Sequence, residues 1–490
     1  MSTAVSPAEV KPCSYKHGSW NCPFDAQGDH DRCIFHLSVD QKAPEEFWRH
    51  LASYLRALLC AEGDLLWVGE EVDDTLVNSY SSSIKPGDAW HFHGFVFPAM
   101  DEEHNFRGFV FAATDFMDAR FSGEAHFADA TFGAWAVFAF VKFDAGACFG
   151  GAKFAEGASF FQTEYAGAAN FEGATFGAEA NFNGTTFSGE ADFVDATFNN
   201  RAGFFAAKFT DMAVFSRATF NGRADFRIAK LSDKANFHAA KFASMANFAG
   251  ATFEGEANFS LATFSTGARF WDAKFAGMAN FDVATFNGEA DFSFAHFLSV
   301  LFFREADFKA RVDFYEARLP GSSWMLGMDE RTARSIRLLA EKHGWSADAG
   351  VFYAIEMDYR RRRFRKTPRC WLQYLLMELY RLTSHYGESP GRALASLAVA
   401  LLLFSYSFVI SGFWFMGRRV DRDLWATPSD LWLAFRLALV NLLPGNLPSY
   451  IPGAPVLSSP ATRTWAVAQV IVTYVLLTMF LLAIRRRFRR

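Results

Sequence analysis

The chain has 490 residues, with 48 Lys and Arg against 53 Asp and Glu for a net charge of −5, six cysteines and 58 phenylalanines. That length calls for more than one domain, the mild acidity argues against a nucleic-acid binder, and six scattered cysteines exclude a disulfide-built secreted domain and fit a reducing cytoplasm. Acids predominate up to Leu319 and bases after it, gathered around apolar segments, which suggests a membrane rather than a nucleic acid as partner.

Residues 1–60 form a first segment. Its first twenty residues contain no apolar run, so no signal peptide is expected. Cys13, Cys22, Cys33 and His36, the last two spaced Cys-x-x-His, are the donor set of a tetrahedral Zn²⁺ site, and a segment this short and polar gains a staple from such an ion. The spacing matches no common zinc-finger rule, so reduced, unliganded cysteines are the competing reading, and His17 and His30 are alternates for the fourth ligand. Pro44 to Leu59 has helical periodicity, with Glu45 and Glu46 in its first turn and Phe47, Leu51, Tyr54 and Leu55 on one face. Residues 61–112 form an entry and cap region, in which irregular Phe spacing from His91 to Phe111 marks the opening coil of a repeat.

From 113 to 319 an aromatic residue, nearly always Phe, recurs in alternating steps of five and six. Phe121, Phe132, Phe143, Phe154, Tyr165 and Phe176 lie on one comb of eleven, and Phe116, Phe127, Phe138, Phe149, Phe160 and Phe171 on another, with Leu231 the one substitute before Leu319. A fixed period held this long marks a solenoid. Two residues before almost every comb position stands a small residue, as in Ala180-Asn181-Phe182. In extended chain, residues two apart share a face, so Ala and Phe point inward and the polar residue between them outward. The Gly, Asn and Ser between units are turn formers, and no proline stands between Pro98 and Pro320 to delete a ladder N–H.

The unit Ala-(Asn/Asp)-Phe-x-x, as in Ala-Asn-Phe-Glu-Gly-Ala-Thr-Phe at 169–176 and Ala-Asp-Phe-Val-Asp-Ala-Thr-Phe at 191–198, resembles the pentapeptide-repeat family. The resemblance implies a right-handed quadrilateral β-helix, mainly β. The departure is a sixth residue in every second unit, which makes a coil about 22 residues and puts a longer corner on two sides of each turn. The residues before the Phe support that coil. Arg120, Lys142, Lys208, Lys230 and Lys274 alternate by eleven with Thr131, Thr175, Thr197, Thr219 and Thr263, so one outer face is expected to carry a broken basic stripe, interrupted by Glu164, Thr186, Thr252 and His296, and the opposite one a Thr ladder, interrupted by Lys153, Lys241 and Asp307. About nine coils are expected, with the outward Asn and Asp serving stacking and solubility. The family resemblance also raises a topoisomerase-binding DNA mimic as a minor reading, which the weak net charge and the basic face oppose.

Residues 320–385 read as a helical connector: Asp329 to His343, Ser346 to Phe364, and Trp371 to Leu382. The second helix ends in Arg360, Arg361, Arg362, Arg363, Arg365 and Lys366, a run expected to face lipid headgroups. Residues 386–490 form a two-transmembrane hairpin, with spans at Ala393 to Met416 and Trp465 to Ile484. Arginines crowd the near side of the first span and the far side of the second, so both ends and the rod are expected in the cytoplasm, at the inner membrane of a prokaryote.

Between the spans, Ser429 to Leu443 is a helix too short to cross. With the leader Leu379 to Arg392, this layout resembles two-transmembrane ion-channel subunits, which implies a homo-oligomer, a tetramer if it conducts, with Asn441, Gly445 and Asn446 as pore-loop candidates. A potassium filter needs a Thr-x-Gly-Tyr-Gly type strand, and Asn441-Leu442-Leu443-Pro444-Gly445-Asn446 is not one.

No nucleophile with a base, phosphate-binding Gly loop or paired carboxylates in a cleft appear, so an enzyme is not expected. Two readings of function remain. One is a membrane-anchored solenoid that serves as a cytoplasmic binding or scaffolding platform for an unidentified protein partner, with the lipid bilayer as its other partner. The other is a non-selective channel-like oligomer that the solenoid regulates.

Overall fold

The computed structural model describes residues 11–17, 20–27, 30–58, 75–76, 90–102, 104–318, 326–327, 330–342, 346–365, 368–415, 418–420, 427–440 and 460–489. The chain forms two compact units, Met1–Thr332 and Ala333–Arg490.

The first unit is a β-solenoid of four parallel sheets, one of eleven strands and three of ten among the described residues. Ala136 pairs with Ala158 on the first face, Lys142 with Glu164 on the second, Ala147 with Ala169 on the third and Lys153 with Thr175 on the fourth. Each of these pairings advances by one 22-residue coil, as the alternation of Lys and Thr predicts. The turns number about ten rather than nine. The added coil lies in the irregular Phe region, where Trp90 pairs with Thr114 and Val96 with Arg120, two residues longer than the standard step.

The inward residues leave almost nothing but rings and methyl groups inside. Phe182, Phe204 and Phe226 stack at 4.9 and 4.6 Å between ring centroids, with planes 2–3° apart, and each corner of the interior carries such a ladder. Rings on adjacent ladders meet edge to face, as Phe182 and Phe193 do at 5.4 Å. Both arrangements suit the ring quadrupole. Thr163 and Thr185, where most coils have Ala, satisfy their buried hydroxyls by donating to the carbonyls of Phe138 and Phe160 at 2.6 Å.

The short corners explain the outward Asn and Asp. The chain turns in four residues, closed by the Ala119 N–H donating to Phe116 O at 2.9 Å, and the third residue takes a positive φ, 58° at Asp118. In such a corner the N–H after the Phe loses its ladder partner. The side chain two residues earlier accepts it: Asn170 Oδ1 takes the N–H of Glu172 at 2.8 Å, and Asp192, Asn236 and Asn258 do the same for Val194, His238 and Ser260. These side chains are corner caps, a role beyond the expected stacking and solubility.

On the second face Arg120, Lys142, Lys208, Lys230 and Lys274 fall in one row, and the Thr row lies on the fourth. The basic row is partly neutralised: Arg120 pairs with Asp144 at 2.6 Å, Lys142 with Glu164 at 3.2 Å and Lys230 with Glu254 at 3.1 Å.

A helix, α1 (Pro44–Leu58), packs on the start of the solenoid through Phe47, Trp48, Leu51, Tyr54 and Leu55, all buried, with Phe47 edge-on to Phe97 at 5.5 Å.

The second unit contains α2 (Glu330–Lys342), whose first residues belong to the other unit, then α3 (Ser346–Arg365), α4 (Trp371–Ser384), α5 (Pro390–Ser411), α6 (Pro428–Val440) and α7 (Pro460–Arg489). α5 and part of α7, Thr464–Arg485, are long and apolar enough to cross a membrane. The first such helix ends at Ser411, short of the expected Met416, because Gly412 takes φ 71° and Phe413–Phe415 turns back against Arg418–Val420 as a hairpin. Leu397, Leu401 and Phe408 of α5, Leu437 and Ala438 of α6 and Leu476 of α7 form one buried cluster. Leu394, Leu402 and Leu403 on α5 and Val467, Ile471 and Leu481 on α7 stay exposed, an apolar surface that suits lipid.

Candidate metal centre

Two short strands, β1 (Lys16–His17) and β2 (Trp20–Asn21), pair as a hairpin, and the Cys13 N–H donates to Phe24 O at 3.0 Å below it. That closure sets Cys13 beside Cys22. The chain then returns through a tight turn in which the N–H groups of His36 and Leu37 both donate to Cys33 O, at 3.0 and 3.2 Å. The Cys-x-x-His spacing therefore aims Cys33 and His36 at the same point.

The four donor atoms lie within 4.8 Å of one another, and all four residues are buried. Cys22 Sγ and Cys33 Sγ are 3.7 Å apart, Cys13 Sγ and His36 Nδ1 3.5 Å, and Cys33 Sγ and His36 Nδ1 3.0 Å. A tetrahedral ion with metal–sulfur and metal–nitrogen bonds of about 2.3 and 2.1 Å sets these edges at about 3.8 Å for S···S and about 3.6 Å for S···N. Two of the three separations match those edges, and the third closes by about half an ångström from them, as a direct S–H···N hydrogen bond does.

The imidazole is oriented for the task. Its Nε2 donates to the carbonyl of His93 at 2.7 Å, which leaves Nδ1 bare toward the sulfurs, and Tyr15 stacks on the ring at 4.0 Å. The Cys33 N–H donates to Cys13 Sγ at 3.2 Å. Hydrogen bonds from Cys22 and Cys33 pull the Cys13 thiol below its usual value. The bond to Cys13 pushes Cys22 up, and burial pushes Cys33 up to about 12. A divalent cation bound there would displace those protons, with Cys13, Cys22 and Cys33 as its thiolate ligands and His36 Nδ1 as the fourth. The buried cluster can hold a metal ion.

The centre also serves as the lid of the solenoid. Phe35, between Cys33 and His36, stacks on Phe95 at 4.4 Å with planes 1° apart, one further rung on the Phe ladder, and its carbonyl accepts the Val96 N–H at 2.8 Å as a preceding coil does. Lys42 Nζ donates to Ile34 O and Val96 O at 3.0 and 2.5 Å. The first open edge is thus covered rather than left to pair with another chain.

His36 is the fourth donor; His30 is exposed, and the side chain of His17 lies outside the described residues, as do Asn441, Gly445, Asn446 and Lys366. The Arg run lies at the end of α3. Arg361 is mostly covered and donates to Asp358 at 2.8 Å, to Glu378 of α4 at 2.6 Å and to the Tyr386 hydroxyl at 3.2 Å. Arg360 pairs with buried Glu356 and Arg362 with Asp358. Arg363 and Arg365 are exposed. The sequence alone did not single out His93, Tyr15 or Lys42, which orient and cover the centre.

Residues 182–227 and 229–274 match the family described as pentapeptide repeats, with nine copies. The rod is a pentapeptide-repeat solenoid. No curated protein and no solved structure matches the chain. The coils on either side of those residues keep the same 22-residue register, as Lys142 with Glu164 and Thr285 with Asp307 do.

Proposed function

We propose that the chain is a non-enzymatic, membrane-anchored pentapeptide-repeat platform whose cytoplasmic solenoid presents long, regular rows of side chains to a protein partner. The observation that carries this reading is the solenoid itself: its interior is filled by Phe and Ala, so recognition falls to outer faces that repeat every coil. The Cys13, Cys22, Cys33 and His36 cluster holds Zn²⁺ in a structural role, because four closed protein donors leave no position for a substrate. α5 and α7 anchor the chain in the inner membrane of a prokaryote, with both ends cytoplasmic by the placement of Arg.

The packing of α6 favours a second reading as a channel-like oligomer. Leu437 and Ala438 near its end are buried with Leu401 of α5 and Leu476 of α7 in one cluster, and Gln469 of α7 donates to Ala438 O at 2.7 Å, which ties a helix of re-entrant length into the hairpin. Light scattering of the detergent-purified full chain, with ion flux after reconstitution, separates the two. A monomer silent to common ions supports the platform, and an oligomer whose flux changes on substitution of Asn441 or Gly445 replaces it with the channel.

A further inference from the structure

The first coil of the solenoid holds a second cluster of metal donors. His91 and Asp115 face each other across adjacent strands of the first face, in direct register. His93 opens the four-residue corner that follows, closed by the Phe95 N–H donating to Phe92 O at 3.1 Å with Gly94 at φ 63°, and that corner brings its buried ring beside Asp115. One donor atom from each of His91, His93 and Asp115 lies within 4.8 Å of the others.

We propose that His91, His93 and Asp115 form a second divalent metal site, for a first-row transition cation held by two imidazoles and one carboxylate with coordination positions left open. The site is built in the same way as the first. Asp115 Oδ1 accepts the Met117 N–H at 3.0 Å, which fixes the carboxylate plane and turns Oδ2 to His93 Nε2 at 2.6 Å. A cation bound there would sit between His93 Nε2 and Asp115 Oδ2, with the His93 ring as the Nδ1–H tautomer. The N···O separation then widens to about 3.0–3.4 Å for bonds of about 2.1 Å.

The donor set sorts the two centres. Three thiolates and one imidazole make a closed, soft site, whereas two imidazoles and a carboxylate suit Zn²⁺, Fe²⁺, Co²⁺ or Mn²⁺ and leave room for water or a ligand oxygen. His93 joins them: its carbonyl accepts from His36 of the first centre while its ring serves the second.

The test is a Co²⁺ titration of the full-length, detergent-purified, metal-stripped protein. Bound cobalt is counted after dialysis, and thiolate-to-cobalt charge transfer reports the cysteine centre alone. The wild type is expected to take up two equivalents, one with the thiolate band and one without it. H91A and D115N are each expected to lose the equivalent without the band and keep the one with it. Should the cysteine centre take no metal, one equivalent without the band, abolished by H91A, still supports the second site. No equivalent without the thiolate band in the wild type, or its persistence in H91A, overturns the proposal. If D115N loses both equivalents because the first coil opens, H91A decides alone, since it leaves the His93 to Asp115 bond in place.

Discussion

Tyr165 stacks on Phe143 at 4.8 Å with ring planes 10° apart, so it occupies a Phe position in the ladder and buries its hydroxyl in the filled interior of the solenoid. That hydroxyl has no hydrogen-bond partner among the described residues, and burial raises its pKa well above the ordinary tyrosine value. An unmet buried hydroxyl costs about 1–3 kcal/mol. Y165F removes it and keeps the ring, so the variant is expected to melt at a higher temperature than wild type. A lower melting temperature would show that the hydroxyl has a partner.

Phe204 sits mid-ladder between Phe182 and Phe226, and Leu231 interrupts a different ladder between Phe209 and Phe253. F204A is expected to destabilise the solenoid by about 3–5 kcal/mol. L231F restores two stacking contacts of about 0.5–1.5 kcal/mol each and is expected to stabilise. Denaturant melts of the two variants should move in opposite directions.

Chelation of the Cys13, Cys22, Cys33 and His36 centre should open the lid and nothing beyond it. Thiol titration should show the three cysteines protected in the metal-loaded protein and reactive after chelation. Hydrogen exchange at the Val96 N–H, which donates to Phe35 O, is expected to speed up, while the Phe204 N–H stays protected. C33S should reproduce the chelated state.

Asp225 is fully buried, and Arg227 donates to both its oxygens at 2.8 Å. Burial pulls its pKa up, and the hydrogen bonds from the Arg227 side chain and N–H outweigh it and leave the carboxyl below the usual range. A depressed folded pKa adds stability above the unfolded value of about 3.9 and loses it as pH falls through the folded one. Acid melts below about pH 4 should therefore be shallower for D225N than for wild type. R227A should cost about 1 kcal/mol at neutral pH, a small figure because the guanidinium is 41% exposed and screened.

Arg361 ties α3 to α4 and to the Tyr386 hydroxyl. R361A leaves Asp358 and Glu378 partly buried and is expected to cost about 2–3 kcal/mol in the melting of the second unit. R361K should recover little of it, because an ammonium cannot reproduce a fork shared among three partners. Full recovery by lysine would mean that only the charge matters there.

The solenoid was legible because a Phe every five or six residues is a covalent fact of the chain and needs no tertiary context to be counted. The same count missed a coil. From Trp90 to Thr114 the step grows by two residues, and that longer step is also what sets Asp115 against His91, a pairing the 22-residue rule does not produce. The donors Cys13, Cys22, Cys33 and His36 could be named from type and local spacing, but His93, 57 residues away from His36, could not. Asn170 was placed outward by alternation; its bond to the Glu172 N–H depends on a corner whose backbone only the folded coil defines. The end of the first long helix was missed because Gly412 sits inside an apolar run, where composition gives no sign of its positive φ.

The two-fold pattern of five and six within each 22-residue coil gives the rod a rule for changes of length. Loss or gain of 22 residues shifts the end by one rung of about 4.8 Å and leaves every row of side chains in line. Loss or gain of eleven still sets Phe on Phe and Ala on Ala, so the stack closes without a defect, yet everything downstream turns by half a revolution and the Thr row continues the line of Lys142 and Lys230. Duplication and deletion in this gene can thus act as a screw thread, resetting which side of the rod a partner meets while the core stays blind to the change.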